Sequence, residues 1–220
     1  MGRIHTYAVI PARDEEDYIG SVINDIAPLV KGICIVNDDS ADRTANIARE
    51  TLHSHPQLQI AELVDGSGKG PGAAVRRGIQ RLRELGVSDE HCCVIIDGDG
   101  QIPAEIIPQA AKIVIHADTE SILVKGIRTY SRGVRVPIMR RVLGKVSAAA
   151  ASLATGMKIS DAHCGFAAAR LETMNHLACD DPWNGYGYPV HWILKQKHLG
   201  GVIETVSLPA YYGDEKSSLR

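Results

Sequence analysis

The stretch Val94-Ile95-Ile96-Asp97-Gly98-Asp99-Gly100-Gln101 decides the fold, because it joins an apolar strand to an acidic turn. The strand, predicted over Cys92–Ile96, is almost entirely apolar, as expected in a parallel sheet covered on both faces. Glycines between the acidic residues let the backbone turn tightly without a Cβ penalty. Oxygen ligands at alternating positions suit a hard cation such as Mg²⁺ or Mn²⁺. The turn therefore predicts a metal site formed by Asp97, Asp99 and Gln101.

Strand and helix signals alternate on either side of this turn. Upstream strands are predicted over Tyr7–Ile10, Gly32–Val36 and Leu58–Val64, with apolar residues at helical spacing between them. Downstream, helices are predicted over Pro103–His116, Pro137–Thr155 and Gly187–His198, and strands over Ser121–Lys125, Gly165–Ala169 and Val202–Val206. This alternation indicates an α/β fold, with a mostly parallel, Rossmann-like sheet and helices on both faces.

Polar residues follow four of the predicted strands at the point where each strand ends. These polar runs are Pro11–Glu15, Asn37–Asp39, Asp65–Lys69 and Asp97–Gln101. In open α/β sheets, ligands bind beyond the carboxyl ends of the strands. We therefore expect one binding site that draws on all four runs.

Composition limits the classes of protein that the chain can belong to. Its 220 residues, 45% of them hydrophobic, suit a single domain over residues 1–220. The net charge of −2 argues against a dedicated nucleic-acid binder. Five cysteines without CxxC spacing fit a reducing compartment. With no visible signal peptide and no apolar run of about 20 residues, we expect a cytoplasmic protein, at most peripheral at the cytoplasmic face of a membrane.

Five motifs, in order along the chain, resemble those of family 2 glycosyltransferases, which have the GT-A fold. Val9–Glu16 is similar to VIPAxNEE, and Val36–Thr44 is similar to V(D/N)DGSxDxT. Gly68–Ala74 resembles GKGxAxxxG with one additional residue, and Asp97–Glu105 resembles DxDxQ(D)PE. Ser160–Phe166 is similar to SDxxCGF. Within the family, the motifs most resemble those of dolichyl- and polyprenyl-phosphate sugar synthases.

This resemblance implies an inverting, metal-dependent transfer of a hexose from a nucleotide-diphosphate sugar, of the GDP-mannose or UDP-glucose type, to a polyprenyl or dolichyl phosphate. The nucleotide-sugar half would be residues 1–102, and the acceptor half residues 103–220. The residues carried over to the nucleotide-sugar site are Pro11, Ala12, Arg13, Glu15, Asp38, Asp39, Lys69, Asp97, Gly98 and Asp99. In this assignment Asp38 bonds the base, Asp97 reaches the ribose or metal, and Asp99 and Gln101 bind the metal directly.

The chain departs from the family pattern at three points. Asp39 replaces the usual glycine of the DDGS turn, and His191 stands in a region where relatives often carry an acidic residue. No QxxRW segment is present, which argues against a processive polysaccharide synthase.

Between Ser121 and Ser160 the chain has no acidic residue but eight basic ones. We expect this stretch to receive an anionic acceptor, with Arg128 and Arg141 binding its phosphate through their guanidinium groups. Apolar residues interleaved over 134–143 would touch lipid at an anionic membrane surface. Asp161 is expected to face the acceptor, and Asp99, Asp161, Arg128 and Arg141 form the predicted catalytic group.

Two other functions remain open from the sequence. A sugar-hydroxyl acceptor would need a general base, for which Asp161 is the candidate. A catalytically silent nucleotide-sugar binder that docks on a membrane partner is compatible with Asp39 and His191. A calcium-binding EF-hand loop is excluded, because its twelfth position, counted from Asp97, is Pro108 rather than glutamate.

Overall fold

A seven-stranded sheet organises the chain, in the order β3-β2-β1-β4-β6-β5-β7. The strands are β1 (Thr6–Ala12), β2 (Gly32–Asn37), β3 (Ile60–Asp65), β4 (Cys92–Ile95), β5 (Ile122–Thr129), β6 (Ala167–Arg170) and β7 (Val202–Pro209). The computed structural model describes residues 4–129, 138–156 and 159–209, and only the backbone of 138–143 and 145. Only β6 runs antiparallel to its neighbours among the described strands, so the predicted mostly parallel sheet is confirmed.

Helices cover both faces of this sheet. They are α1 (Ile19–Ile26), α2 (Thr44–His53), α3 (Pro71–Glu84), α4 (Ile106–His116), α5 (Ile138–Thr155), α6 (Leu171–Ala178) and α7 (Tyr188–His198), with a short 3-10 helix over Ala27–Leu29. On one face, α1, α2 and α4 pack in a core that includes Ile23 and Ile107. On the other face, α3, α6 and α7 pack in a core that includes Ile79 and Trp192. All four residues of β4 are buried, as its apolar sequence predicts for a strand covered on both faces.

The strand order reverses between β1 and β4. From β1 the chain adds β2 and then β3 on one side, and β4 then pairs with the opposite edge of β1. The crevice outside the carboxyl ends at such a reversal is where ligands bind in open α/β sheets. We therefore expect the ligand to bind at the residues that follow β1 and β4.

Several predicted elements have different bounds in the structure, and one helix was not predicted. The strand expected from Leu58 begins at Ile60, and the helix expected from Pro103 begins at Ile106 after a turn. The helix α6 was not predicted, because it follows β6 without a connecting loop and has only eight residues. Among the described residues, no helix combines the length and the apolar character needed to cross a bilayer.

Candidate active site

The ends of β1 and β4 are in direct contact. The Gly98 backbone N–H donates a hydrogen bond to the Pro11 carbonyl oxygen at 3.3 Å. A Cβ at Gly98 would lie 3.2 Å from the Cβ of Ala12, so this turn lies close against β1. The structure thus brings Pro11 and Ala12 together with the acidic turn, at the reversal of strand order.

The loop after β1 is tied to the loop after β2 by hydrogen bonds. The Glu15 backbone N–H donates to the Thr44 hydroxyl at 2.7 Å, and the Ala41 N–H donates to the Asp14 carboxylate at 2.7 Å. Arg13 is half-exposed and lies 3.9 Å from the Asp14 carboxylate. Arg13 and Glu15 therefore lie on a loop held at the edge of the crevice, and their role in lining a nucleotide pocket stays a prediction.

Asp38 has partners that the sequence does not reveal. Its side chain is buried, and its two carboxylate oxygens accept hydrogen bonds from the Gly68 and Gly70 N–H groups at 2.8 and 2.7 Å. This carboxylate therefore holds the glycine-rich turn against the end of β2. Its hydrogen bond to a nucleotide base stays a prediction. Asp39, the next residue, adopts a left-handed conformation with φ 65°.

Lys69 is exposed at the tip of the same turn and lines a surface cavity of about 350 Å³. Arg76 and Arg77 of α3 line this cavity as well. Sequence reasoning missed both arginines, because charged residues on one face of an amphipathic helix are typical of a solvated surface. They add positive charge next to the predicted base pocket.

The acidic turn concentrates two carboxylates in a poorly solvated position. Burial, and next the neighbouring Asp99 carboxylate, raise the pKa of Asp97 to about 7. Burial also raises the pKa of Asp99. The Gln101 N–H donates to the Asp99 carboxylate at 3.0 Å, which closes the turn. Two crowded carboxylates resist ionisation together, and a bound cation would relieve this.

The acidic turn can supply some of the ligands of a divalent cation, and other groups would complete the coordination shell. Over residues 4–129, 138–156 and 159–209, no three His, Cys, Asp or Glu side chains lie close enough to hold a metal by themselves. Two carboxylates, completed by an amide, phosphate oxygens and water, are the usual environment of Mg²⁺ or Mn²⁺ at a substrate phosphate. Asp97, Asp99 and Gln101 therefore remain the predicted ligands.

Arg128 and Asp161 form a bidentate ion pair at the carboxyl end of β5. The Arg128 Nε and Nη2 atoms lie 2.6 and 3.0 Å from the Asp161 carboxylate oxygens. Burial alone would raise the pKa of Asp161, but its hydrogen bonds to Arg128 and the guanidinium charge outweigh this and lower it. Asp161 is thus a weak proton acceptor in this arrangement. The Arg141 side chain and the residues at 130–137 lie outside the part that the structure describes.

Most of the chain matches one known family. The family described as "Glycosyl transferase family 2" matches residues 7–177, which run from the second residue of β1 through β4 and the acidic turn to α6. The chain belongs to glycosyltransferase family 2. It is therefore a transferase, and the sheet and its helices are those of the GT-A fold.

Relatives of this family 2 glycosyltransferase are distant in sequence. An uncharacterised protein of Methanocaldococcus jannaschii is 27% identical over 219 residues, covering 96% of this chain and 90% of its own. A UDP-N-acetylglucosamine–dolichyl-phosphate N-acetylglucosaminyltransferase of Methanococcus voltae is 25% identical, covering 62% of this chain and 57% of its own. A dolichol-phosphate mannosyltransferase of Pyrococcus furiosus is 27% identical, covering 76% and 46%. The chain thus matches about half the length of each of these two transferases.

Solved structures support the fold. Glucosyl-3-phosphoglycerate synthase from Mycobacterium tuberculosis, in complex with UDP, has a TM-score of 0.73 at 21% identity, covering 99% of this chain and 74% of that one. The same enzyme with Mn²⁺, UDP-glucose and phosphoglyceric acid has a TM-score of 0.71 at 22% identity, covering 98% and 73%. At this level of identity the likeness concerns the fold alone.

His191, one of the departures from the family pattern, lies next to an acid in this family 2 glycosyltransferase. Its Nδ1 atom is 3.1 Å from the Asp181 carboxylate, whose side chain is fully buried. The Asp181 carboxylate accepts hydrogen bonds from the Trp192 indole N–H at 2.7 Å and the Trp183 backbone N–H at 2.9 Å. Asp181 was not singled out in the sequence, where an Asp-Asp-Pro run is typical of a turn.

Proposed function

We propose that this glycosyltransferase transfers a hexose from a nucleotide-diphosphate sugar to the phosphate of a polyprenyl or dolichyl phosphate, with inversion at the anomeric carbon. The observation that carries the proposal is the placement of two acidic side chains and a guanidinium group at one end of the sheet. Burial raises the pKa of both Asp97 and Asp99. Arg128 lies close enough for its positive charge to offset part of this rise. A donor diphosphate and an anionic acceptor would meet between them.

On the donor side, Asp97, Asp99 and Gln101 would hold Mg²⁺ or Mn²⁺. Such a cation would neutralise the negative charge that develops on the departing nucleotide diphosphate. The base and ribose would bind where the ends of β1, β2 and β3 converge. There Asp38 fixes the glycine-rich turn that carries Lys69.

On the acceptor side, the state of Asp161 favours a phosphate over a hydroxyl. A phosphate monoester has a second pKa of about 6 and is largely ionised at neutral pH, so it can attack without a general base. A hydroxyl needs a base, and the ion pair with Arg128 lowers the proton affinity of Asp161. The names of the Methanococcus and Pyrococcus relatives, both dolichyl-phosphate transferases, support the same acceptor class.

Transfer of label from GDP-mannose and UDP-glucose to polyprenyl phosphate, in the presence of Mn²⁺, tests this function. We expect lipid-linked sugar with the wild-type chain and a loss of rate of at least about 100-fold for Asp99→Asn, since loss of even an outer partner of a metal costs 10–100-fold. The matched control is Asp118→Asn, an exposed carboxylate far along the chain from the acidic turn. Sugar transfer to 3-phosphoglycerate alone would favour the hydroxyl acceptor. Donor binding without turnover on either acceptor would favour the silent binder.

The acceptor residues need a separate measurement. Arg128→Ala and Arg141→Ala are each expected to abolish transfer to lipid phosphate while nucleotide binding persists, because guanidinium groups pair with phosphate oxygens. The matched control is Arg83→Ala, which removes an arginine that is likewise paired with an aspartate, but at the surface. Transfer that survives both substitutions would refute the acceptor assignment.

A further inference from the structure

The Lys125 side chain is buried in β5, with 2% of its surface exposed. Its ammonium group donates a hydrogen bond to the Cys164 carbonyl oxygen at 2.8 Å. Burying an ammonium group is costly unless hydrogen bonds or opposite charges compensate for the lost water. A lysine at this position therefore makes the fold less stable than an apolar side chain of similar size would. We expect its contact with Cys164 to serve a function that offsets this cost.

Three side chains hold the segment that contains Cys164. Lys125 donates a hydrogen bond to the Cys164 carbonyl oxygen. Arg128 lies three residues further along β5 and binds the Asp161 carboxylate at the start of the same segment. From α7, the Tyr188 hydroxyl lies 3.4 Å from the carbonyl oxygen of Gly165. The segment over 161–165 is thus fixed from two elements.

This segment in turn limits where the Asp97 carboxylate can lie. A Cβ at Gly165 would fall 2.3 Å from the Asp97 Oδ2 atom, so the carboxylate rests against the Gly165 backbone. The Lys125 hydrogen bond acts on the peptide that joins Cys164 to Gly165. Burial and the Asp99 carboxylate raise the pKa of Asp97, and the charge of Lys125 opposes this.

We propose that Lys125 is a positioning residue for the cation site: through the Cys164–Gly165 backbone, it fixes the Asp97 carboxylate where it can bind a divalent cation. In this assignment Lys125 acts through that backbone and does not itself bind the cation or the donor, since its ammonium group is bonded to the Cys164 carbonyl oxygen. The inference rests on the proposed function, because it requires a divalent cation at the acidic turn. It adds a residue that the family motifs do not include.

Direct binding of Mn²⁺ to the full chain, in the presence of GDP or of UDP, tests this role, with free Mn²⁺ measured by electron paramagnetic resonance. We expect Lys125→Met to weaken Mn²⁺ binding by about 10- to 100-fold, the range found for outer partners of metal ligands. The matched control is Gln196→Met. Gln196 is also buried, and it donates to the Ser121 carbonyl at 2.9 Å just before the amino end of β5, away from the site.

Circular dichroism and thermal unfolding establish that each variant is folded. Lys125→Gln, which is neutral, polar and too short to reach Cys164 in the same way, carries the same expectation and replaces the methionine variant if that one does not fold. Wild-type Mn²⁺ affinity in a folded neutral variant would overturn the inference, as would an equal loss in Gln196→Met. Absence of Mn²⁺ binding by the wild-type chain with both nucleotides would instead refute the proposed cation site itself.

Discussion

Asp39 illustrates how a single residue adapts to a backbone conformation that usually selects glycine. Its φ of 65° lies in the left-handed region, where glycine carries no steric cost and aspartate is among the side chains that tolerate it best. The family motif has glycine at this position, and this chain has Asp39 instead. The structure has a left-handed residue at this position, with Asp39 in place of glycine.

Gly165 is the residue at which a one-carbon change should disturb the site most directly. In Gly165→Ala the new methyl group would overlap the Asp97 carboxylate, since its carbon would lie 2.3 Å from the Oδ2 atom. We expect at least about a tenfold loss of Mn²⁺ affinity, in line with the effect of displaced metal-site partners, measured by titration in the presence of nucleotide. Gly185→Ala should bind Mn²⁺ like the wild type, because no group in the described part of the chain comes within 4 Å of the added carbon. Equal affinities for the two variants would contradict the contact.

The five cysteines are expected to differ sharply in reactivity. Burial raises the pKa of the Cys34 and Cys92 thiols to about 12 and also raises those of Cys93 and Cys164, whereas Cys179 is exposed. Because the thiolate is the nucleophile, the buried thiols are almost entirely protonated, and therefore inert, at pH 8. Mass spectrometry after brief iodoacetamide treatment of the native chain should find label on Cys179 alone.

The Cys179→Ser variant provides the control for this labelling. It should take up no label when folded and four labels per chain in denaturant. Rapid labelling of Cys34 or Cys92 in the native chain would mean that the core around β2 and β4 opens readily.

At the scale of elements, the packing of α3 on β1 depends on a glycine within the helix. A Cβ at Gly78 would lie 2.4 Å from the Val9 Cγ1 atom and 3.2 Å from the Val36 Cγ2 atom. Gly78→Ala should therefore destabilise the fold by about 1–3 kcal/mol, the usual cost of overpacking, although alanine favours helix. The free energy of unfolding in urea measures this effect.

Gly144 of α5 is the matched control, because among the residues that the structure describes no neighbouring group lies within 4 Å of a carbon added there. Gly144→Ala should raise the free energy of unfolding by up to about 1 kcal/mol, since only helix propensity changes. Destabilisation by both substitutions would argue against the close approach of α3 to β1.

The elements differ in how far the sequence predicts them. The first four strands and α1 follow from apolar runs and helical spacing, and the polar residues after each strand locate the site. The direction of β6 could not be predicted, because its four residues, three alanines followed by Arg170, fit either direction. The burial of Lys125 was also not predictable, since a lysine at the end of a predicted strand is typical of a solvated position. Its hydrogen-bond partner is 39 residues away.

At the scale of the whole molecule, one sheet joins the predicted donor and acceptor halves. The antiparallel strand β6 pairs with β4 on one side and with β5 on the other. The acidic turn therefore lies near the Arg128–Asp161 pair at the same end of this sheet. The sequence predicts both the acidic turn and the Arg128–Asp161 pair as site residues. Their proximity follows from β6, which lies between β4 and β5 and so joins the two predicted halves.

The turn at Asp97–Gln101 is the proposed site at which a divalent cation holds the donor diphosphate. The most direct measurement is a crystal structure with Mn²⁺ and GDP or UDP, in which anomalous scattering identifies the manganese. We expect a manganese peak within coordination distance of Asp99 and of the diphosphate, at the carboxyl end of β4. A nucleotide bound elsewhere on the sheet, or a diphosphate held at this turn without manganese, would contradict the proposed site.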